Sequence, residues 1–240
     1  MDPLLEVTDL SKRFGGLRAI QNVGFPVSAG AIFAVIGPNG AGKTTLFNLI
    51  AGSLRPDAGS IHFAGERIDG LAPDAVCRRG IGRTFQIVRP FPALTVEENV
   101  VIGALLHAHD VETARSAAGE VLRRLDLYEK RHQPASSLTL PDRKRLEVAR
   151  ALATRPKLLL LDETMAGLRP TETDRMVATL RELNRSGLTI LLIEHVMRAV
   201  MALASHILVL HHGATIAQGS PREVVRDPAV LSSYLGAEAL

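Results

Sequence analysis

The apolar positions of this chain fall into short runs with two alternating rhythms, and their order predicts an α/β protein. Residues 5–10 and 20–26 read as short strands around the polar, glycine-containing turn at 11–16. Residues 31–36 form a continuous apolar run, the mark of a buried strand, and 44–50 carry the apolar spacing of a helix. Residues 60–65 alternate like a strand closing on a tight turn. A short helix at 72–79 follows, and then a strand at 80–86 that ends on Gln86. The first pieces predict an antiparallel sheet beside a parallel core.

Past Gln86 the composition changes. Pro90 and Pro92 break the chain, and from Thr95 to about Arg131 the spacing is helical, with Thr95 and Glu98 offering a capping box and a repeat of the pattern over 111–127. This predicts a helical block interrupting the α/β core. A second helix start is specified at 139–142. There Thr139 can cap, Pro141 suits a first turn that needs no N–H, and Asp142 completes a T-x-x-D box facing the positive helix end. Residues 157–161 read as a buried strand ending on Asp162 and Glu163. Residues 171–174 cap a helix running to about Ser186, with Gly187 at its end. Another buried strand, 189–193, ends at Glu194 and His195; a hairpin over 206–218 and short closing helices over 221–234 complete the chain.

Composition bounds the function classes. The 240 residues suffice for one large α/β domain, or for a core with a subdomain. Hydrophobic content of 46% with 22% charged residues is that of a packed globular protein. The longest apolar runs are far too short to span a bilayer, and no basic segment followed by an apolar stretch opens the chain, so the expectation is a chain without a secretory leader. Cys77 is the single cysteine, which excludes an internal disulfide and fits a reducing cytoplasm. The net charge of +3 is spread along the sequence, and with no Trp and 4% aromatic residues there is little to stack single-stranded bases. Nucleic acid is not an expected partner.

The chemistry is concentrated in Gly37-Pro38-Asn39-Gly40-Ala41-Gly42-Lys43-Thr44-Thr45, which fits G-x-x-x-x-G-K-[ST]. Glycines let successive backbone N–H groups turn inward to form a cup for phosphate oxygens. Lys43 adds a charge that reaches the β- and γ-phosphates, Thr44 offers a hydroxyl to Mg²⁺, and the helix points its positive end at the anion. A strand before and a helix after supply the context that the motif needs. In a phosphate-loop protein, Asp162 would hold Mg²⁺ through water and Glu163 would polarise the attacking water. His195, at a strand end, can donate to a γ-phosphate. Phe14 has two readings: an aromatic face for adenine, or a core residue in a hairpin.

These elements in this order resemble the ATP-binding-cassette (ABC) ATPase family over essentially the whole chain. The resemblance implies an adenine-stacking role for Phe14, the Q-loop role for Gln86 with a part in holding Mg²⁺, the Walker B role for Asp162, the catalytic role for Glu163 and the switch role for His195. A finer resemblance is carried by Arg13-Phe14-Gly15-Gly16-Leu17, by Arg83-Thr84-Phe85-Gln86 with Arg89 and Phe91, by Ala166-Gly167-Leu168 before Pro170-Thr171-Glu172, by Ile193-Glu194-His195 and by Tyr234-Leu235-Gly236. It is to the ATP-binding subunits of branched-chain amino-acid importers, some of which serve urea or amides. It implies a P-loop ATPase core with an antiparallel β subdomain (1–86 and 154–240) and an inserted helical subdomain (87–153). It also implies ATP and Mg²⁺ as cofactors, a second ATPase subunit in a homodimer or heterodimer, membrane permease subunits, a periplasmic binding protein acting indirectly, and a place on the cytoplasmic face of the cell membrane.

The sequence departs from the family at its signature, Leu-Ser-Gly-Gly-Gln, which reads here Leu138-Thr139-Leu140-Pro141-Asp142. Two glycines have become bulky residues, Pro141 removes a donor, and Asp142 puts a negative charge where a phosphate should approach. The expectation is a competent nucleotide site of the chain's own and a weakened contribution to the site across the dimer. Two alternatives stand beside the transport ATPase. One is a weakly hydrolysing regulatory subunit; the other is a non-transport ABC protein of translation or DNA repair.

Overall fold

The computed structural model describes residues 2–84 and 90–235, so Gln86 and Arg89 lie outside the described residues. In chain order the elements are β1 (Leu5–Phe14), β2 (Leu17–Val27), β3 (Ile32–Ile36), α1 (Lys43–Ile50), β4 (Ala58–Phe63), β5 (Glu66–Arg67), α2 (Pro73–Arg78) and β6 (Ile81–Arg83). Then follow α3 (Val96–Ala104), α4 (Val111–Arg124), α5 (Leu140–Leu152), β7 (Leu158–Asp162), α6 (Pro170–Arg185), β8 (Thr189–Ile193), α7 (Met197–Leu203), β9 (His206–His211), β10 (Ala214–Gly219), α8 (Pro221–Val224) and α9 (Pro228–Leu235). The chain divides into two compact units, Met1–Val76 with Thr189–Leu240, and Cys77–Leu188.

In the first unit an antiparallel sheet has the order β2-β1-β4-β5. β1 and β2 are longer than their apolar cores. Pairing continues through the polar residues to Arg13↔Arg18 and Phe14↔Leu17, so the expected turn over 11–16 shrinks to Gly15 and Gly16. A two-residue turn with Gly15 at φ +57° suits the right-handed twist of a hairpin, and the register shifts along β1 show where its alternation lapses. The unit's other strands centre on β3, parallel to β8 on one side and to β9 on the other, with β10 antiparallel to β9. All residues of β3 and β8 are buried, as parallel strands covered on both faces must be. Leu46, Phe47, Leu49 and Ile50 of α1 are buried as well.

The second unit pairs β6 with β7 in parallel, Ile81 opposite Leu158. Of the expected strand over 80–86, Ile81–Arg83 form β6 and the Thr84 N–H still donates to the Leu160 carbonyl at 2.9 Å, while residues 85 and 86 lie outside the described residues. The helical run after Thr95 is two helices. The Thr95–Glu98 capping box is formed as expected, α3 stops at Ala104, and Asp110 caps α4 by accepting from the Thr113 N–H at 2.7 Å. A Cβ on Gly103 would sit 2.6 Å from the Arg150 carbonyl, so α3 and α5 approach more closely than any side chain allows. α6 begins earlier than read. Arg169 is its cap position, Pro170 leads its first turn, and the Glu172 carboxylate reaches back to the Arg169 N–H at 2.8 Å. Thr171 therefore lies inside the helix.

Candidate functional site

The phosphate loop leaves the end of β3 and enters α1 at Lys43, with Gly42 in the N-cap position. Two of its glycines are required by their neighbours. Gly37 has φ +148°, and a Cβ there would lie 2.1 Å from the carbonyl oxygen of Leu210; Gly42 has φ +104°, and a Cβ would lie 2.4 Å from that of Ala19. The loop is thus wedged against β9 and β2, and the N–H of Gly213 ties the β9–β10 turn to the Ala41 carbonyl at 2.9 Å. Lys43 is buried, and its ammonium donates to the carbonyls of Gly37 at 2.7 Å and Pro38 at 3.0 Å. Thr44 stands exposed one residue into the helix, where the first N–H groups of α1 have no partner within it. The result is a rigid cationic cradle of main-chain donors, suited to a polyphosphate.

Two more candidate residues, Phe14 and His195, lie in this unit. Phe14 is 45% exposed at the tip of the β1–β2 hairpin, with the Lys12 ammonium 5.7 Å from its ring centre. This excludes the core reading for it. His195 follows β8 and is exposed, while the preceding Glu194 is buried.

In the second unit Asp162 ends β7, 1% exposed. Its N–H donates to the Thr84 hydroxyl at 3.1 Å, and the Arg83 guanidinium donates to its Oδ2 at 3.4 Å. Burial lowers the pKa of Arg83 from the usual arginine value, against the charge and hydrogen bond of Asp162. Glu163 comes directly after the strand with φ +49°, a left-handed conformation that is uncommon away from glycine. Its carbonyl accepts from the Ala166 N–H at 3.2 Å and from the Lys144 ammonium at 2.9 Å.

The segment 138–142 opens α5, and it departs from the sequence reading. Thr139 takes the cap position, but no N–H donates to its hydroxyl; the hydroxyl instead donates to Asp142 Oδ2 at 2.8 Å. Asp142 is 5% exposed and turned inward. Lys130 donates to the same oxygen at 2.5 Å, and Arg145 lies 3.7 Å from the other. Burial works to raise the Asp142 pKa, but the hydrogen bonds from Lys130 and Thr139 and the charges of Lys130 and Arg145 outweigh it and hold the carboxyl below its ordinary value. Expected both to complete a capping box with Thr139 and to repel an approaching phosphate, Asp142 is instead an ionised group matched by two cations, and the Thr139 side chain makes no cap hydrogen bond. The exposed residues of the segment are Thr139 and Leu140.

Sequence reasoning missed Lys130 and Lys144. Lys144 did leave a signal, because it shares a helix face with the buried Val148 and Leu152. Lys130 left none, since only the fold brings it to Asp142.

The chain matches the family described as "ABC transporter" over residues 20–166, and the family described as "Branched-chain amino acid ATP-binding cassette transporter" over residues 214–239. It is 39% identical to the high-affinity branched-chain amino acid transport ATP-binding protein BraF of Pseudomonas aeruginosa, with 98% of each chain covered. Among solved structures it resembles an ATP-binding cassette of an ABC transporter in its ADP conformation, at a TM-score of 0.90 and 31% identity, with 98% of this chain and 100% of that one covered. It also resembles a dimeric ATP-binding cassette in a post-hydrolysis state bound to ADP and phosphate, at a TM-score of 0.82 and 25% identity, covering 91% and 99%. With a phosphate loop and a strand-end Asp-Glu pair already in place, these likenesses show that the chain belongs to the ABC transporter family, as one of its ATPase cassettes.

Proposed function

We propose that this cassette is the ATP-binding and ATP-hydrolysing subunit of a bacterial importer for branched-chain amino acids, or for a similar small polar substrate such as urea or an amide. The observation that carries the transport reading is the match of residues 214–239 to the branched-chain amino acid cassettes, supported by the full-length likeness to BraF. The cargo is bound elsewhere in such a machine, so none of the residues described above recognises it.

The roles follow from the chemistry of each group. Residues 37–45 bind the phosphates, Lys43 neutralises the β- and γ-oxygens, and Phe14 offers its exposed face to adenine. The Thr44 hydroxyl and the Asp162 carboxylate are hard oxygen donors of the kind Mg²⁺ prefers, with Gln86 as a third candidate ligand. When bound, Mg²⁺ supplies charge neutralisation at the phosphates. Glu163 orients and polarises the attacking water, and His195 donates to the γ-phosphate. Residues 138–142 face the nucleotide held by a second ATPase subunit, a pairing supported by the dimeric cassette the chain resembles. The functional division is a nucleotide-binding core over 1–86 and 154–240 and a helical subdomain over 87–153 that meets the permease. No helix of the described residues is long and apolar enough to cross a membrane. The subunit works at the cytoplasmic face, bound to permease subunits and fed indirectly by a periplasmic binding protein.

A second reading, a regulatory subunit that hardly hydrolyses, is favoured by Leu140 and Pro141 in the segment that faces the partner's nucleotide. Steady-state hydrolysis by the complex with its permease separates the two. Turnover by the wild type, with ATP trapped by Glu163→Gln, supports the importer ATPase. Absence of turnover in both overturns it in favour of the regulatory subunit.

A further inference from the structure

Lys144 lies two residues beyond Asp142 on α5 and is 5% exposed. An ammonium in that setting must be hydrogen-bonded, because desolvation of an unpartnered charge is prohibitive. It donates to the main-chain carbonyl of Glu163 at 2.9 Å, the residue that leaves β7 in the left-handed conformation. Four residues before Lys144, and on the same helix face, Leu140 lies over the other end of that turn. Its Cδ2 is 3.3 Å from where a Cβ on Gly167 would be. The start of α5 therefore holds the turn after β7 by a hydrogen bond at Glu163, and Leu140 leaves no room for a side chain at Gly167 without shifting.

We infer that Lys144 is a positioning residue for Glu163. By fixing the Glu163 peptide, it sets the direction in which the carboxylate leaves the main chain, and it holds in place a backbone conformation that a non-glycine residue otherwise avoids. The inference deepens the function proposed above and rests on its assignments to Glu163 and to residues 138–142. Lys144 and those residues share one helix, so a nucleotide pressing on 138–142 shifts the Glu163 peptide as well. The chain's own water-polarising group is thereby tied to the nucleotide bound across the dimer.

The test uses the full-length chain with Lys144→Met, Lys144→Arg and Glu163→Gln, scored by ATP-hydrolysis kinetics and by amide exchange over 163–168. Lys144→Met is expected to lower kcat by roughly a hundredfold, the cost of a misplaced group, and to leave KM for ATP within about twofold. Its exchange should accelerate over 163–168 only. Lys144→Arg, which keeps a donor, should recover protection of the turn and most of the turnover. An unchanged kcat in Lys144→Met, or faster exchange spread evenly over the chain, overturns the inference. If Glu163→Gln itself retains wild-type kcat, the assignment of Glu163 fails, and the exchange result still decides whether Lys144 holds the turn.

Discussion

Lys130 and Asp142 meet at 2.5 Å although they belong to different local structures, a short 3₁₀ turn and the first turn of α5. The contact turns the aspartate of the segment 138–142 away from solvent and matches its charge. With Arg145 on its other oxygen, the carboxylate sits between two cations. The start of α5 presents a hydroxyl-bearing residue and a leucine, with Asp142 drawn inside.

Because this pairing lowers the Asp142 pKa in the folded state, it adds stability above the unfolded-chain value of about 4, and that contribution is lost as pH falls through the lower folded value. Thermal unfolding between about pH 6 and about pH 3 should therefore decline more steeply for the wild type than for Asp142→Asn. Lys130→Ala should destabilise by about 1 kcal/mol at neutral pH, less than a fully buried pair would, because Lys130 is 40% exposed. Parallel pH slopes for wild type and Asp142→Asn would remove the pair from the account.

If charge is already compensated, bulk is what limits residues 138–142. Leu140→Gly with Pro141→Gly is expected to raise turnover of the assembled complex, whereas Asp142→Gln alone changes it little. The glycines also weaken the helix start, at about 1 kcal/mol each, so Tm should fall while activity rises. An increase produced by Asp142→Gln alone would show that charge is the limiting feature.

Gly37→Ala drives a Cβ into the Leu210 carbonyl and should cost more than about 2 kcal/mol, with loss of nucleotide binding. Lys43→Met removes the ammonium from the Gly37 and Pro38 carbonyls. It should cost about 1 kcal/mol of stability and still abolish binding. Chemical denaturation and a fluorescent ATP analogue, measured side by side, separate a fold defect from a binding defect.

Asn99 on α3 is fully buried, and its side chain accepts from the Phe91 N–H and donates to the carbonyls of Phe91 and Thr95. It holds the stretch 91–95 in place. Asn99→Ala leaves those main-chain groups without their partner and should destabilise by about 2–3 kcal/mol, seen as a lower denaturation midpoint with an unchanged m-value.

Much of this molecule was legible in the sequence because the relevant physics is local. The buried runs of β3, β7 and β8 follow from continuous apolar residues, α3 from a capping box written in four residues, and the phosphate loop from glycines, a lysine and a threonine at fixed spacing. The same locality explains the errors. The β1–β2 pairing extends through polar residues because cross-strand hydrogen bonds do not depend on apolar alternation. α6 starts at Pro170 because Glu172 reaches back to Arg169, a choice that the neighbouring Thr171 obscured. Only the tertiary structure could decide the state of Asp142 and the place of Lys144. A charge twelve residues away and a carbonyl nineteen residues away come within reach of these side chains because packing sets a 3₁₀ turn and the turn after β7 against α5. Sequence spacing sets neither distance. What the chain wrote locally was the phosphate-loop pattern and the apolar runs around it; how the Asp142 carboxylate is neutralised and which carbonyl Lys144 reaches was settled by the fold, since burial and ion pairing depend on which groups packing brings together.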